Sequence, residues 1–275
     1  MNKEGALKKL WQNFLIGIIT SRINLFNLLL HVYLLSVITK RRDQRVISGP
    51  FKGMKFNLDL PYDWFFLPMF LGTYELEIHS AFANLSNFRF DQIINLGASE
   101  GYYAVGMALK WPQATVYAFE SMSIYSRKIS KIARDNLVAD RVYIRGRCNC
   151  VDLIDLLKPN KSTLLMLDVE GEEINLLEPQ VVLELRQATV LVELHDVCVP
   201  ECAKIIEERF GDTHNISKYI SRPRTIKDFP LPLGDINNPI VRLFALKAVT
   251  EYRGPQQKFF LMIPKKCNTQ FEVIK

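Results

Sequence analysis

The sequence predicts an α/β protein with a mostly parallel, doubly wound sheet. From residue 90 onward, short β-rich runs alternate with stretches of helical periodicity, giving five βα units in series. Each run is almost continuously apolar, as in strands that are buried on both faces of a parallel sheet. The loop after the first run carries Gly97 and Gly101 directly before an apolar stretch at helical spacing.

The individual elements follow from these runs. The predicted strands cover 92–97, 115–120, 141–146, 163–168, 189–196 and 258–264. The predicted helices cover 101–111, 121–137, 150–157, 172–186 and 200–210. Right-handed crossovers give the first five strands the order 3-2-1-4-5. We expect 46–90 to be a strand-and-helix module covering the ligand side of the sheet, and the Pro-rich stretch 223–238 to be a loop.

An N-terminal apolar and basic helical segment, 1–45, is predicted ahead of a single domain at 46–275. Residues 11–39 contain one charge, Arg22, and the 17 uncharged residues after it reach only the lower limit for a spanning helix. Three placements stay open: on a membrane surface through 11–45, packed on protein, or across a membrane. A signal peptide is not expected, because Arg22 interrupts the apolar region. We expect a cytoplasmic protein, with a peripheral membrane position left open.

Composition excludes several classes of protein. The net charge is +6, with much of the excess near the N-terminus, and no basic stripe is interleaved with aromatic residues, so nucleic-acid binding is not expected. Five scattered cysteines indicate free thiols in a reducing compartment. A zinc site is excluded because the two cysteine pairs would follow strands about 19 Å apart. Those pairs are Cys148 with Cys150 and Cys198 with Cys202.

The glycine loop distinguishes between nucleotide ligands. A dinucleotide fold requires G-x-G-x-x-G, but Ser99 and Tyr102 occupy the second and third glycine positions, which disfavours a dehydrogenase. The remaining Gly97-x-x-x-Gly101 lets the backbone pass close to a ligand without a pyrophosphate. Glu120 closes the second strand, 23 residues after Gly97, where it can accept hydrogen bonds from both hydroxyls of a ribose. This combination predicts an S-adenosylmethionine (SAM) site.

Three stretches, "INLGASEGYYAVGMA", "VYAFE" and "LDVEGEEINLLE" (167–178), resemble the FkbM-type SAM-dependent methyltransferases. The resemblance covers roughly 48–265 and implies a Rossmann-like class I methyltransferase fold. The cofactor-binding residues that it implies are Glu75, Asn95, Gly97, Ala98, Gly101, Glu120, Ser121 and Asp168. The family usually carries Asp or Glu where this chain has Asn95, and that acid helps to hold the methionine amino group. Two alternatives stay open: cofactor affinity is lower, or Glu100 or Glu75 supplies the missing charge.

The chemistry is expected at the ends of the fourth and fifth strands. Asp168 ends the fourth, while Glu193 and His195 share one face of the fifth. Because adjacent strands lie ~4.8 Å apart, Asp168 and His195 are predicted to face one cleft as the catalytic pair. His195 would be the general base, with a pKa near ~6.5. A less favoured alternative is an Mg²⁺ ion held by Asp168, Glu193 and His195; another is a histidine satisfied by loop backbone.

The resulting expectation is methyl transfer from SAM to a hydroxyl on a glycan, a lipid-linked saccharide or a secondary metabolite. A catalytically inactive binding or scaffold protein with the same fold is the alternative, because of Asn95. Homo-oligomerisation is left open.

Overall fold

A computed structural model describes residues 44–56, 66–232, 237–251 and 256–265. They contain a seven-stranded sheet in the order β3-β2-β1-β4-β5-β7-β6. The strands are β1 (Gln92–Leu96), β2 (Thr115–Phe119), β3 (Val142–Arg145), β4 (Thr163–Leu167), β5 (Thr189–Leu194), β6 (His214–Ile220) and β7 (Lys258–Pro264). Strands β1 to β5 are parallel, and β7 is antiparallel to both β5 and β6. The predicted order 3-2-1-4-5 is confirmed.

Helices cover both faces of the sheet. They are α1 (Phe66–Leu71), α2 (His79–Asn84), α3 (Tyr102–Lys110), α4 (Ser123–Asp135), α5 (Cys150–Leu156), α6 (Glu173–Leu176), α7 (Cys202–Phe210) and α8 (Pro239–Val249). Alternation along the strands divides the apolar core in two. Ile93 and Leu164 belong to the layer that contains α1 to α4 and α8. Ile94 and Leu165 belong to the layer that contains α5, α6 and α7.

The segment before β1 packs onto the sheet face that carries α3. Phe51 makes edge-on ring contacts with Phe82, Tyr102 and Tyr103. Gly106 on α3 leaves room for this ring, since an added Cβ would collide with Phe51. The strand predicted in this module is reduced to an isolated bridge between Arg45 and Lys55.

Three elements differ from the prediction. The helix expected over 172–186 is broken into α6 and a 3₁₀ helix at Leu183–Gln187. Pro179 lies between them and disfavours helical backbone at the residue before it. Strand β6 and helix α8 were not predicted. Strand β6 lies at the sheet edge with most side chains at least partly exposed, so its sequence lacks an apolar run.

The predicted N-terminal helical segment lies outside the described residues, apart from its last two positions. In the ranges that the structure describes, no helix has the length and apolar character needed to cross a bilayer.

Candidate functional site

A cavity of about 830 Å³ lies at the carboxyl ends of β1, β2 and β4. Of the predicted cofactor-binding residues, Gly97, Glu120, Ser121 and Asp168 line it. Four others do not line it, and all four are buried. They are Glu75, Asn95, Ala98 and Gly101, of which the first three have relative exposures of 1%, 1% and 4%. The predicted set therefore divides into cavity-lining residues and residues that lie behind them.

The two glycines of the loop are required by packing. Gly97 has a φ of 77°, and a Cβ there would collide with the carbonyl oxygen of Asp168 at the end of β4. Gly101 has a φ of 91°, and a Cβ would lie 3.0 Å from Ile129 on α4. Ser99, at the second glycine position of the dinucleotide pattern, also adopts a left-handed φ of 46°. Such strain in a non-glycine residue is characteristic of loops that contact ligands.

Glu120 is held by the backbone of the loops around it. The backbone N–H of Ser99 donates to its Oε2 (2.9 Å), and that of Met122 donates to its Oε1 (2.7 Å). An ionised carboxylate has about four acceptor sites, so both oxygens retain capacity for further donors. The side chain is therefore a fixed acceptor on the cavity wall.

Asn95 and the acids expected to compensate for it have different surroundings. The Oδ1 of Asn95 is buried without a hydrogen-bond donor among the described residues. Glu75 is buried with a left-handed φ of 48°, and its carboxylate accepts a hydrogen bond from the Tyr103 hydroxyl. Glu100 accepts from the Ser99 hydroxyl (2.5 Å) and lies 3.7 Å from Lys128.

The ends of β4 and β5 form the His195 cluster, which we define as His195, Asp168, Glu170, Glu173 and Glu193. Nδ1 of His195 lies 2.7 Å from Oε1 of Glu173, so the imidazole donates to this buried carboxylate. Nε2 lies 3.6 Å from Asp168, 3.5 Å from Glu170 and 4.0 Å from Glu193. Asp168 and His195, which were predicted to face one cleft, thus lie close together, although His195 does not line the cavity that Asp168 lines.

This environment alters the predicted role of His195. Burial by itself lowers the pKa of His195, but the hydrogen bond to Glu173 and the charges of Glu173, Glu193 and Asp168 raise it to about 9. At neutral pH the imidazole therefore holds its proton. The general-base prediction assumed an ordinary pKa near ~6.5, and the neighbouring carboxylates raise the pKa above that value.

The partnership of His195 with Glu173 was missed from sequence. Glu173 belongs to the quoted "LDVEGEEINLLE" run, but nothing in its spacing indicates a partner 22 residues away. Asp196, which follows His195, accepts from the N–H of Ala203 and from Lys258, so it anchors the loop before α7.

A second set of buried charges was also missed. We define the Arg224 cluster as Arg224, Glu75, Glu77 and Glu251. Arg224 donates to Oε2 of Glu77 (2.8 Å) and to Oε1 of Glu251 (2.5 Å from Nη2). Oε1 of Glu251 also accepts from the backbone N–H of Glu75 (3.1 Å). The cluster joins the module before β1 to the segments that follow β6 and α8.

The cysteines show no metal-binding arrangement in the described ranges. The group of His, Cys, Asp and Glu that converges closely there consists of Asp168, Glu193 and His195. Cys148 and Cys150 line the cavity, and burial raises the pKa of the Cys148 thiol to about 12. Such a thiol stays protonated and unreactive at neutral pH.

Known proteins give a limited comparison. No family model matches the chain, and no curated protein matches it. An O-methyltransferase from Streptomyces achromogenes involved in tomaymycin synthesis, in complex with SAM, is 11% identical, with a TM-score of 0.42, covering 85% of this chain and 89% of its own. A precorrin-6Y C5,15-methyltransferase from Geobacter metallireducens is 11% identical, with a TM-score of 0.42, covering 66% and 85%. Likeness at this level assigns no activity to this chain.

Proposed function

We propose that this chain is a SAM-dependent methyltransferase that acts on a hydroxyl group. The observation that carries the proposal is the position of Glu120, a carboxylate fixed by two backbone N–H groups on the wall of the cavity. Doubly wound sheets bind ligands at the carboxyl ends of their strands, and a volume of about 830 Å³ is typical of small-molecule sites. A fixed acceptor at the end of β2 suits the two hydroxyls of a nucleoside ribose.

The remaining surroundings fit the other parts of SAM. Leu96, Phe119, Met122 and Tyr125 give the cavity apolar surface for an adenine ring. The Oδ1 of Asn95, which is buried behind the cavity wall near the end of β1, is an acceptor that lacks a donor among the described residues. We assign the methionine end of the ligand to this side, and we retain Glu75, which lies behind the cavity wall and also belongs to the Arg224 cluster, as the acid that supplies charge there. Both assignments are part of the proposal.

When bound, SAM supplies an electrophilic methyl group on a sulfonium. The chain's own contribution is to align an acceptor oxygen with that group at the ends of β4 and β5, where Asp168, a member of the His195 cluster, lines the cavity. The resemblance to FkbM-type enzymes favours a hydroxyl on a glycan, a lipid-linked saccharide or a secondary metabolite. Membrane-surface association through 11–45 would favour lipid-linked material and a peripheral cytoplasmic position.

Calorimetry of the full chain with SAM and with its demethylated product tests the proposal. We expect both to bind, and Glu120→Gln to weaken binding by about 1.5–3 kcal/mol, or roughly 10- to 150-fold, because it removes a charged acceptor. Glu208→Gln is the matched control, because Glu208 is exposed on α7 and does not line the cavity. Binding of neither compound to the wild-type chain would contradict the proposal and favour the non-catalytic scaffold alternative.

A further inference from the structure

The ends of β4 and β5 bring together three potential metal ligands. One ligand atom from each of Asp168, Glu193 and His195 lies within 4.8 Å of the other two. The Nε2 atom of His195 lies 3.6 Å from Oδ1 of Asp168 and 4.0 Å from Oε1 of Glu193. Two carboxylates and one imidazole thus surround a common point at the edge where the acceptor would approach.

The burial of these groups favours a cation at that point. The Glu193 side chain is 4% exposed and that of His195 is 11% exposed. Carboxylates at such depth are stable when they are paired with positive charge or coordinate a metal. Asp168 and Glu193 present two carboxylates to this point, and a divalent cation there would bring two positive charges.

A separate residue orients the imidazole for this role. Glu173, outside the three ligands and 0% exposed, accepts the Nδ1 hydrogen of His195 at 2.7 Å. Its Oε1 also accepts from the backbone N–H of Gly171 (3.2 Å), which fixes the carboxylate. The ring is thereby turned so that Nε2 faces Asp168 and Glu193. Metal-binding histidines almost always donate their other ring hydrogen to a carboxylate, a carbonyl or water in this way.

We propose that Asp168, Glu193 and His195 bind one divalent cation of the Mn²⁺ type. Carboxylate ligands suit Mg²⁺ and Mn²⁺, and the imidazole favours a transition metal over Mg²⁺. Glu170 is 81% exposed at the rim, 3.5 Å from Nε2. The three side chains would supply three ligands, and water or an acceptor oxygen would complete the coordination of the ion.

The consequence for catalysis rests on the proposed function. A cation held by these residues would make a bound hydroxyl lose its proton to water more readily. The oxygen then forms a bond to the methyl carbon as the bond from that carbon to the sulfonium sulfur breaks, leaving S-adenosylhomocysteine.

The test is titration of the chelator-treated full chain with MnCl₂, followed by electron paramagnetic resonance of free Mn²⁺ in the absence of SAM. We expect one Mn²⁺ per chain. Glu193→Gln and His195→Gln should each weaken binding by more than the ~10- to 100-fold that loss of an outer hydrogen-bond partner costs. Glu208→Gln should bind like the wild type.

Two results would overturn the site: no Mn²⁺ bound by the wild-type chain, or equal affinity in a Glu193→Gln chain whose circular dichroism is native. If His195→Gln fails to fold, Glu193→Gln alone decides the outcome. Because SAM is absent from this titration, failure of SAM binding in calorimetry would remove the proposed function and leave the metal site standing.

Discussion

The His195 cluster and the Arg224 cluster each place several carboxylates around one cationic side chain, but the cation differs. Arg224 is 6% exposed and its guanidinium donates to Glu77 and Glu251, with a charge that is permanent at any physiological pH. His195 borders the cavity-lining Asp168, and its charge depends on a proton that a metal can replace. The Arg224 cluster therefore suits a structural role, in which it connects segments of the chain. The His195 cluster suits a site that exchanges its cation.

Position in the fold supports this division. The Arg224 cluster connects three segments that are far apart in the sequence, the 3₁₀ helix Leu76–Ile78, the loop after β6 and the residue Glu251 after α8. The His195 cluster lies at the ends of two adjacent central strands, where doubly wound sheets bind ligands. Two clusters of similar charge therefore suit different roles, because one connects distant segments and the other lies at the ligand-binding edge of the sheet.

Of the substitutions that distinguish the two clusters, Arg224→Met is expected to lower the free energy of unfolding most. This change leaves Glu77 and Glu251 buried without their guanidinium partner, which typically costs about 3–5 kcal/mol in the free energy of unfolding. Urea unfolding of the full chain measures it. If the cluster is structural, Mn²⁺ binding per folded chain should stay unchanged. A loss below about 1 kcal/mol would show that the Arg224 cluster is not a structural joint.

The sequence predicted the central sheet better than either cluster. The apolar runs of β1, β2, β4 and β5 are local signals, because strands covered by helices on both faces are apolar along most of their length. The meeting of Asp168 with His195 could also be predicted, since both follow parallel strands that were expected to be neighbours. The Arg224 cluster could not, because Arg224 lies 147 residues from Glu77 and no local pattern joins them.

Two missed elements show which signals were present. Helix α8 begins at Pro239, a residue favoured in the first turn of a helix, so its start was detectable. Strand β6 has no comparable signal, since its pairing with β7 at the sheet edge is a tertiary event. The raised pKa of His195 likewise depends on Glu173, and their hydrogen bond is a tertiary contact between α6 and the residue after β5.

An intermediate effect is expected from Glu173→Gln. The change keeps the shape of the side chain and an acceptor for Nδ1, but it removes the charge that makes the imidazole a stronger ligand. Mn²⁺ affinity should fall by ~10- to 100-fold while the stoichiometry stays at one per chain. The same resonance titration measures it, with the neighbouring and more exposed Glu172→Gln as the control. Unchanged Mn²⁺ affinity would mean that the charge of Glu173 does not strengthen the imidazole as a metal ligand.

The smallest effect is expected at Arg222, two residues before Arg224, and it tests whether burial distinguishes the Arg224 cluster. Arg222 donates to both oxygens of Asp228 (2.9 and 2.6 Å) but is 53% exposed. Exposed ion pairs contribute about 0–1 kcal/mol, so Arg222→Met should cost no more than that in urea unfolding. A loss of stability equal to that of Arg224→Met would show that bidentate geometry, and not burial, determines how much an ion pair stabilises the fold.

The ion pair between Arg222 and Asp228 should also make the stability of the protein depend on pH in the acid range. The hydrogen bonds from Arg222 hold the pKa of Asp228 at about 2, below its usual value of 3.8. With the folded-state pKa below the unfolded-state pKa, the stabilising contribution is present above pH 3.8 and is lost as the pH falls towards 2. Arg222→Met should remove part of this acid-dependent loss, although the N–H of Thr225 still donates to Asp228. Unfolding midpoints measured between pH 5 and 2 would contradict this if both chains lost stability in parallel, and the pair would then contribute nothing that depends on its charge.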